Sequence, residues 1–229
     1  MDAAWIALLW LAFAASHMGL SSLRLRPRLV SALGEVGFQG VYSGVALAIF
    51  VALCWTYFAH QHTGPHLWYL GANAAVRWVA YVGLAFALGL TLGGLAHPSP
   101  AGMMPAQSDP KGPLRITRHP AFMGAGLFGL FHLLAAHVNA AELAFFAGFP
   151  AFAVAGCWHQ DQRKLATDAA YARFHAETAF LPFTKPGGLR GLREMPVALA
   201  VGVAVAFGLR WVHAGWFGGV DWLGASLSR

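Results

Sequence analysis

Long apolar runs, each close to the length that spans a bilayer, constrain this chain more than anything else in it. Residues 120–138, PAFMGAGLFGLFHLLAAHV, contain no Asp, Glu, Lys or Arg. Comparable apolar runs occupy residues 3–22, 37–59, 75–95, 140–158 and 196–217, the last three each with a single charged residue, Arg77, Glu142 and Arg210. At about 1.5 Å per helical residue, a run of about twenty residues crosses the ~30 Å hydrocarbon core of a membrane. Inside that core only a helix or a closed barrel satisfies its own backbone. Composition agrees: 58% of residues are hydrophobic and 10% are charged, against about 25% charged in an average soluble chain. The expected fold is therefore all-α, a single polytopic membrane domain of about six transmembrane helices.

Charge sorts the connections. Loops 23–36, 96–119 and 159–195 hold Arg24, Arg26, Arg28, Lys111, Arg115, Arg118, Arg163, Lys164, Arg173, Lys185, Arg190 and Arg193. Of the 15 Lys and Arg only Arg77, Arg210 and Arg229 lie elsewhere. The positive-inside rule makes the three loops cytoplasmic and leaves both termini on the other side. It also accounts for the net charge of +6 without a nucleic-acid partner. Segment 3–22 is expected to be an anchor, not a cleaved leader, since its basic cluster follows it and Asp2 precedes it. Residues 159–180 mix charge with Leu165, Tyr171, Phe174 and Phe180 and read as one cytoplasmic surface helix. Asn139 and Glu142 form an N-x-x-E capping pattern ahead of span five. The Pro- and Gly-rich loop 96–114 reads as irregular chain that could lie over a cavity. No strand is expected. Cys54 and Cys157 are expected near opposite faces, too far apart for a disulfide.

Three histidines stand out. His17 lies near the cytoplasmic end of span one, His119 at the mouth of span four, and His132 deeper in that span. An ionisable side chain within lipid is costly unless paired or liganded. Imidazole is a usual haem ligand, and facing helices of a bundle can hold a cofactor between them. A core histidine bonded to a backbone carbonyl is the competing reading. If both helices start at the same depth, the rings of His17 and His132 are offset by about 10 Å. Arg115 and Arg118 are suited to carboxylates, or else mark the positive edge. Gly124, Gly126 and Gly129 would admit either a flat macrocycle or a neighbouring helix. His60 and His62 form an H-x-H pair, in an exposed loop or as metal ligands.

These motifs taken together carry a resemblance. S-H-x-x-L-S-S at 16–22, GFQGVY at 37–42, RITRHP at 115–120, His132, WHQDQRK at 158–164, Y-x-R-F at 171–174 and LPF ending at Phe183 resemble the NnrU family. That family includes zeta-carotene cis–trans isomerases and proteins encoded beside denitrification genes. The resemblance implies haem b with His17 and His132 as axial ligands to the metal. It also implies His119 as a further important, catalytic residue, with Arg115 and Arg118 available to the cofactor. The implied substrate is an apolar polyene or nitric oxide, the surroundings are membrane lipid, and the setting is a bacterial inner membrane; the redox partner is left open. The isomerases carry a cysteine three residues before the second ligand, where this chain has Gly129. Two other readings stand beside it. RHPAFMG resembles the R-H-P-x-Y-x-G motif of isoprenylcysteine-type methyltransferases, with Phe122 for the tyrosine and Gln160–Asp161 for a glutamate pair. The chain could also be a non-enzymatic assembly or transport factor.

Overall fold

The computed structural model describes residues 2–102 and 109–217. Residues 103–108 of the possible lid, and Arg229, lie outside them. The long helices are α1 (Asp2–Leu20), α2 (Leu25–His60), α3 (Ala74–Ala96), α5 (Pro120–Ala135), α6 (Ala140–Thr167) and α9 (Pro196–Phe217). Three short ones, α4 (Pro113–Ile116), α7 (Tyr171–Glu177) and α8 (Gly188–Arg193), belong to the connections. Five helices are long and apolar enough to cross a membrane. The remaining long one, α5, has 16 residues, about 24 Å. It still joins the two ends of the bundle. Trp5, Trp55, Trp78, Val197 and Trp211 project from the bundle on its exposed faces, as lipid-facing side chains do. The chain is an integral membrane protein.

The helices pack in the spatial order α2, α1, α6, α5, α3, α9. Glycine sets the close approaches. A Cβ on Gly124 would lie 2.3 Å from Thr91 Oγ1 of α3, and one on Gly202 would lie 2.5 Å from the Gly89 nitrogen. Gly129 meets the Phe146 carbonyl of α6, 2.3 Å from where a Cβ would be. Pro150 sits four residues after Phe146 and lacks the N–H that this carbonyl would otherwise accept. The glycines of α5 therefore serve helix packing, with no face left for a macrocycle.

The two ends group the loops as charge had sorted them. At one end Ser21 Oγ lies 3.3 Å from His159 Nε2, and Arg118 reaches Asp161. At the other, His60 faces Asp2 at 3.7 Å and Trp68 Nε1 donates to the Leu133 carbonyl at 3.0 Å.

Four boundaries differ from the sequence reading. Residues 25–33 are helical, not loop, and α2 bends at Gly34, whose φ of 71° and ψ of 166° leave the helical region. Glycine takes that conformation without a Cβ penalty. Leu23, Leu25, Leu33 and Val36 are exposed beside Arg24 and Arg28, the pattern of a helix lying in an interface. Second, residues 159–167 continue α6 as straight helix, since no Gly, Pro or cap intervenes before Asp168. The surface helix shrinks to α7. Third, α5 stops at Ala135, so His132 occupies its last turn and not its middle. Fourth, a two-stranded sheet exists: β1 (His66–Trp68) pairs antiparallel with β2 (Val138–Asn139). The capping box at Asn139 and Glu142 forms with both of its bonds. Glu142 is 1% exposed and also accepts from the His62 N–H at 2.7 Å. Cys54 and Cys157 are free thiols.

Candidate functional site

Span four enters the bundle through a buried polar latch. Thr117, Arg118 and His119 are 0%, 6% and 2% exposed, and Asp161 of α6 is 2% exposed. Three side chains, with four donor atoms between them, converge on that one carboxylate. His119 Nε2 donates to Oδ1 at 2.8 Å, and the Tyr171 hydroxyl donates to the same oxygen at 2.6 Å. Arg118 Nε and its terminal nitrogen both meet Oδ2, at 2.7 and 2.6 Å, a charge-assisted contact of the guanidinium edge with a single oxygen. The guanidinium also donates to the Thr178 carbonyl at 3.0 Å and to His175 Nε2 at 3.1 Å.

Backbone bonds complete the latch. The Arg118 N–H donates to the Ala179 carbonyl at 2.8 Å, and the Phe183 N–H donates to the Ile116 carbonyl at 3.0 Å. The chain after α7 thus runs alongside RITRHP, and Phe180 closes over the Arg118 guanidinium at 5.1 Å. Burial and then the Asp161 carboxylate push the Tyr171 phenol well above its ordinary range. Burial and then the Arg118 guanidinium hold the His175 imidazole below its own. A neutral His175 is what accepting from Arg118 requires.

Arg115 points elsewhere. Its Nε donates to Glu194 at 2.9 Å, and the same carboxylate accepts from the Gly112 N–H at 2.8 Å. That backbone bond first, with Arg115 and Arg190 adding to it, keeps Glu194 below the usual carboxylate range. Both arginines expected at a cofactor are therefore held by carboxylates of the chain itself.

His17 and His132 occupy a different place, an aromatic seam between α1, α5 and α6. The His17 ring stacks on Phe13 at 5.2 Å and lies 4.5 Å from Tyr42 and 5.3 Å from Phe152. Its Nδ1 is buried and has no hydrogen-bond partner. The His132 ring stacks on Phe146 at 4.5 Å and lies 4.2 Å from Phe128, while its Nδ1 donates to the Phe128 carbonyl at 2.8 Å. That bond leaves Nε2 as the nitrogen with a lone pair, the orientation that metal-bound histidines adopt. Between the two, Phe152, Trp10, Phe149 and Phe128 follow one another with centroids 5.0 to 6.3 Å apart.

Both imidazoles have the donor chemistry of a haem ligand: nitrogen in an apolar aromatic surround, with an orphaned atom at His17. Their spacing is another matter. Their nearest partners on α6, Phe152 and Phe146, are six residues apart, about 9 Å along the helix. In this packing the pair does not meet at one iron. His119 belongs to neither histidine's surroundings. The H-x-H pair separates too, His60 facing Asp2 and His62 facing Glu142 at 3.1 Å.

The sequence reading missed Asp161 as the centre of the latch, along with Tyr171 and His175. The one available signal was Asp161 itself, an acidic residue within the WHQDQRK segment directly after an apolar span.

Comparison with known proteins follows the same outline. The family model described as "NnrU protein" matches residues 5–221. The 15-cis-zeta-carotene isomerase, chloroplastic, of Zea mays is 26% identical over 189 residues, which is 77% of this chain and 48% of that protein. Its namesake from Arabidopsis thaliana is 31% identical over 169 residues, 68% of this chain and 42% of that protein. The chain spans about half the length of these curated relatives. No solved structure matches it.

Proposed function

The chain belongs to the NnrU family, and on that footing we propose that it is a membrane-embedded cis–trans isomerase of a polyene related to 15-cis-zeta-carotene. The observation that carries this reading is the seam. It is a run of aromatic rings packed edge to face between spans, with a histidine at each end, one with a buried nitrogen that bonds to nothing. A long conjugated hydrocarbon matches such a lining by area and by stacking. Nitric oxide has no use for it, so an accessory role in nitrite or nitric oxide metabolism comes second.

Haem b is part of the proposal; when bound it supplies a redox-active iron. His17 and His132 are the residues that would hold it. The Phe128 carbonyl fixes the His132 tautomer, and the aromatic rings keep water away from the double bond. Trp10 and Phe149 lie between the two imidazoles, so placing both on one iron requires those rings to move. His119 acts as a positioning residue that pins the entrance of α5 through Asp161. The arginine-rich end faces the cytoplasm by the positive-inside rule, in a bacterial inner membrane, with both termini outside.

The test is isomer analysis. Cells accumulating a 15-cis polyene, supplied with this chain, are expected to convert it to the trans form. His17→Ala should abolish conversion at equal protein level. An unchanged cis fraction with well-folded, membrane-inserted wild type would overturn the reading.

A further inference from the structure

We propose that the arginine-rich end of α1, α2 and α6 holds a phosphoryl oxyanion, centred on Arg163. This site is separate from the latch and does not depend on haem. Arg163 is 9% exposed, and among the described residues its guanidinium makes no hydrogen bond or ion pair. Among the described residues the other strongly buried charges are matched: Arg118 by Asp161, and Glu142 by the His62 and Asn139 N–H groups.

Charge around Arg163 is unbalanced. It lies within electrostatic reach of Arg26, Glu35 and Tyr42. Glu35 is the one carboxylate there, and it is paired to Arg26. Arg26 is fixed over the Phe38 ring at 5.4 Å, and Phe38 packs on Tyr42 at 5.7 Å. Ser21 Oγ and His159 Nε2, 3.3 Å apart, line the α1 side. Arg163 thus shares its surroundings with a second guanidinium, a phenol and a hydroxyl that donates to the His17 carbonyl at 2.7 Å, and with a single carboxylate already engaged. A buried guanidinium without a counter-charge is costly. A phosphoryl group supplies the oxygens that its fork is built to receive. Basic recesses between spans at an interface are suited to anionic headgroups. The bend of α2 at Gly34 sets residues 25–33, with exposed Leu25, Arg28 and Leu33, apart from the rest of the helix, the composition of a segment suited to a membrane interface.

The same chemistry could come from an anionic phospholipid or from free phosphate, and one experiment separates them. Full-length protein, delipidated in neutral detergent, is melted with phosphatidylglycerol, with phosphatidylcholine, and with inorganic phosphate at matched ionic strength. Wild type is expected to gain thermal stability from phosphatidylglycerol well beyond phosphatidylcholine if the source is lipid. It gains from inorganic phosphate alone if the source is free. In either case Arg163→Gln should weaken the apparent affinity at least about tenfold. That variant removes an unpaired buried charge, so it should fold. Arg163→Lys retains the charge and should keep a partial response. Arg173→Gln, at an exposed residue of α7, should behave as wild type. An equal response to all three additions, or an unaltered response in Arg163→Gln, overturns the proposal.

Discussion

His119 Nε2 and Asp161 Oδ1 stand 2.8 Å apart, both 2% exposed, and they join the first residue before α5 to the end of α6. The RHP motif thereby becomes a structural clasp. Asp161 is the only carboxylate it uses, so the clasp has a single point of failure.

Asp161→Asn should therefore destabilise the protein severely. It leaves the Arg118 guanidinium buried against a neutral amide, and removing one partner of such a pair costs about 3–5 kcal/mol. Thermal melting in detergent is expected to show a large drop. His119→Gln, which keeps a donor within reach, should lose much less. Equal melting of Asp161→Asn and wild type would mean the clasp carries no stability.

The clasp should also loosen in mild acid. Burial and Arg118 lower the pKa of folded His175, whereas an unfolded histidine titrates near 6.5. Above that value both states are neutral and nothing is gained or lost. Below it the unfolded chain takes up a proton that the folded one refuses, so stability falls as pH drops through 6.5. His175 is about one-third exposed, so solvent reduces the effect. Protection factors of the α7 amides, corrected for the intrinsic pH dependence of exchange, should fall between pH 7.5 and 5.5, and His175→Gln should flatten that slope.

Gly129→Cys places a side chain where α5 and α6 come closest, three positions before His132. The Phe146 carbonyl occupies its space, so overpacking of this kind should cost about 1–3 kcal/mol. Lower yield and an earlier melt are expected. A variant as stable as wild type would show that α5 and α6 are less closely apposed than described.

Glu142→Ala should release the opposite end of α6. It strips acceptors from the Asn139 and His62 N–H groups. Loss of a cap costs about 1 kcal/mol, with more for a buried donor left unpaired. Limited proteolysis of the loop at 61–65, where the His62 N–H loses its acceptor, reads the release.

The spans and their grouping into two ends were legible because hydropathy and arginine placement are local properties. So was the capping box, whose two members are three residues apart. The clasp was not. Arg118 and Asp161 are 43 residues apart, and nothing local tells a buried Asp161 from a solvated one in a charged segment. The same segment, 159–180, looked like one surface helix because alternating charge gives no sign of which face is covered. The histidines were visible, and their offset along the bundle could be worked out from residue counts. The rings of Trp10 and Phe149 between them could not, since a span's phenylalanines face lipid or protein with equal ease. Arg163 was counted as part of the positive edge; only its burial without a partner sets it apart.

The most direct test of the functional account is the absorption spectrum of detergent-purified protein from cells with ample haem. The wild type is expected to be red, with a Soret band that is lost in the His17→Ala, His132→Ala double variant and kept in His175→Gln. A colourless wild type, or a Soret band that survives loss of both seam histidines, would contradict it.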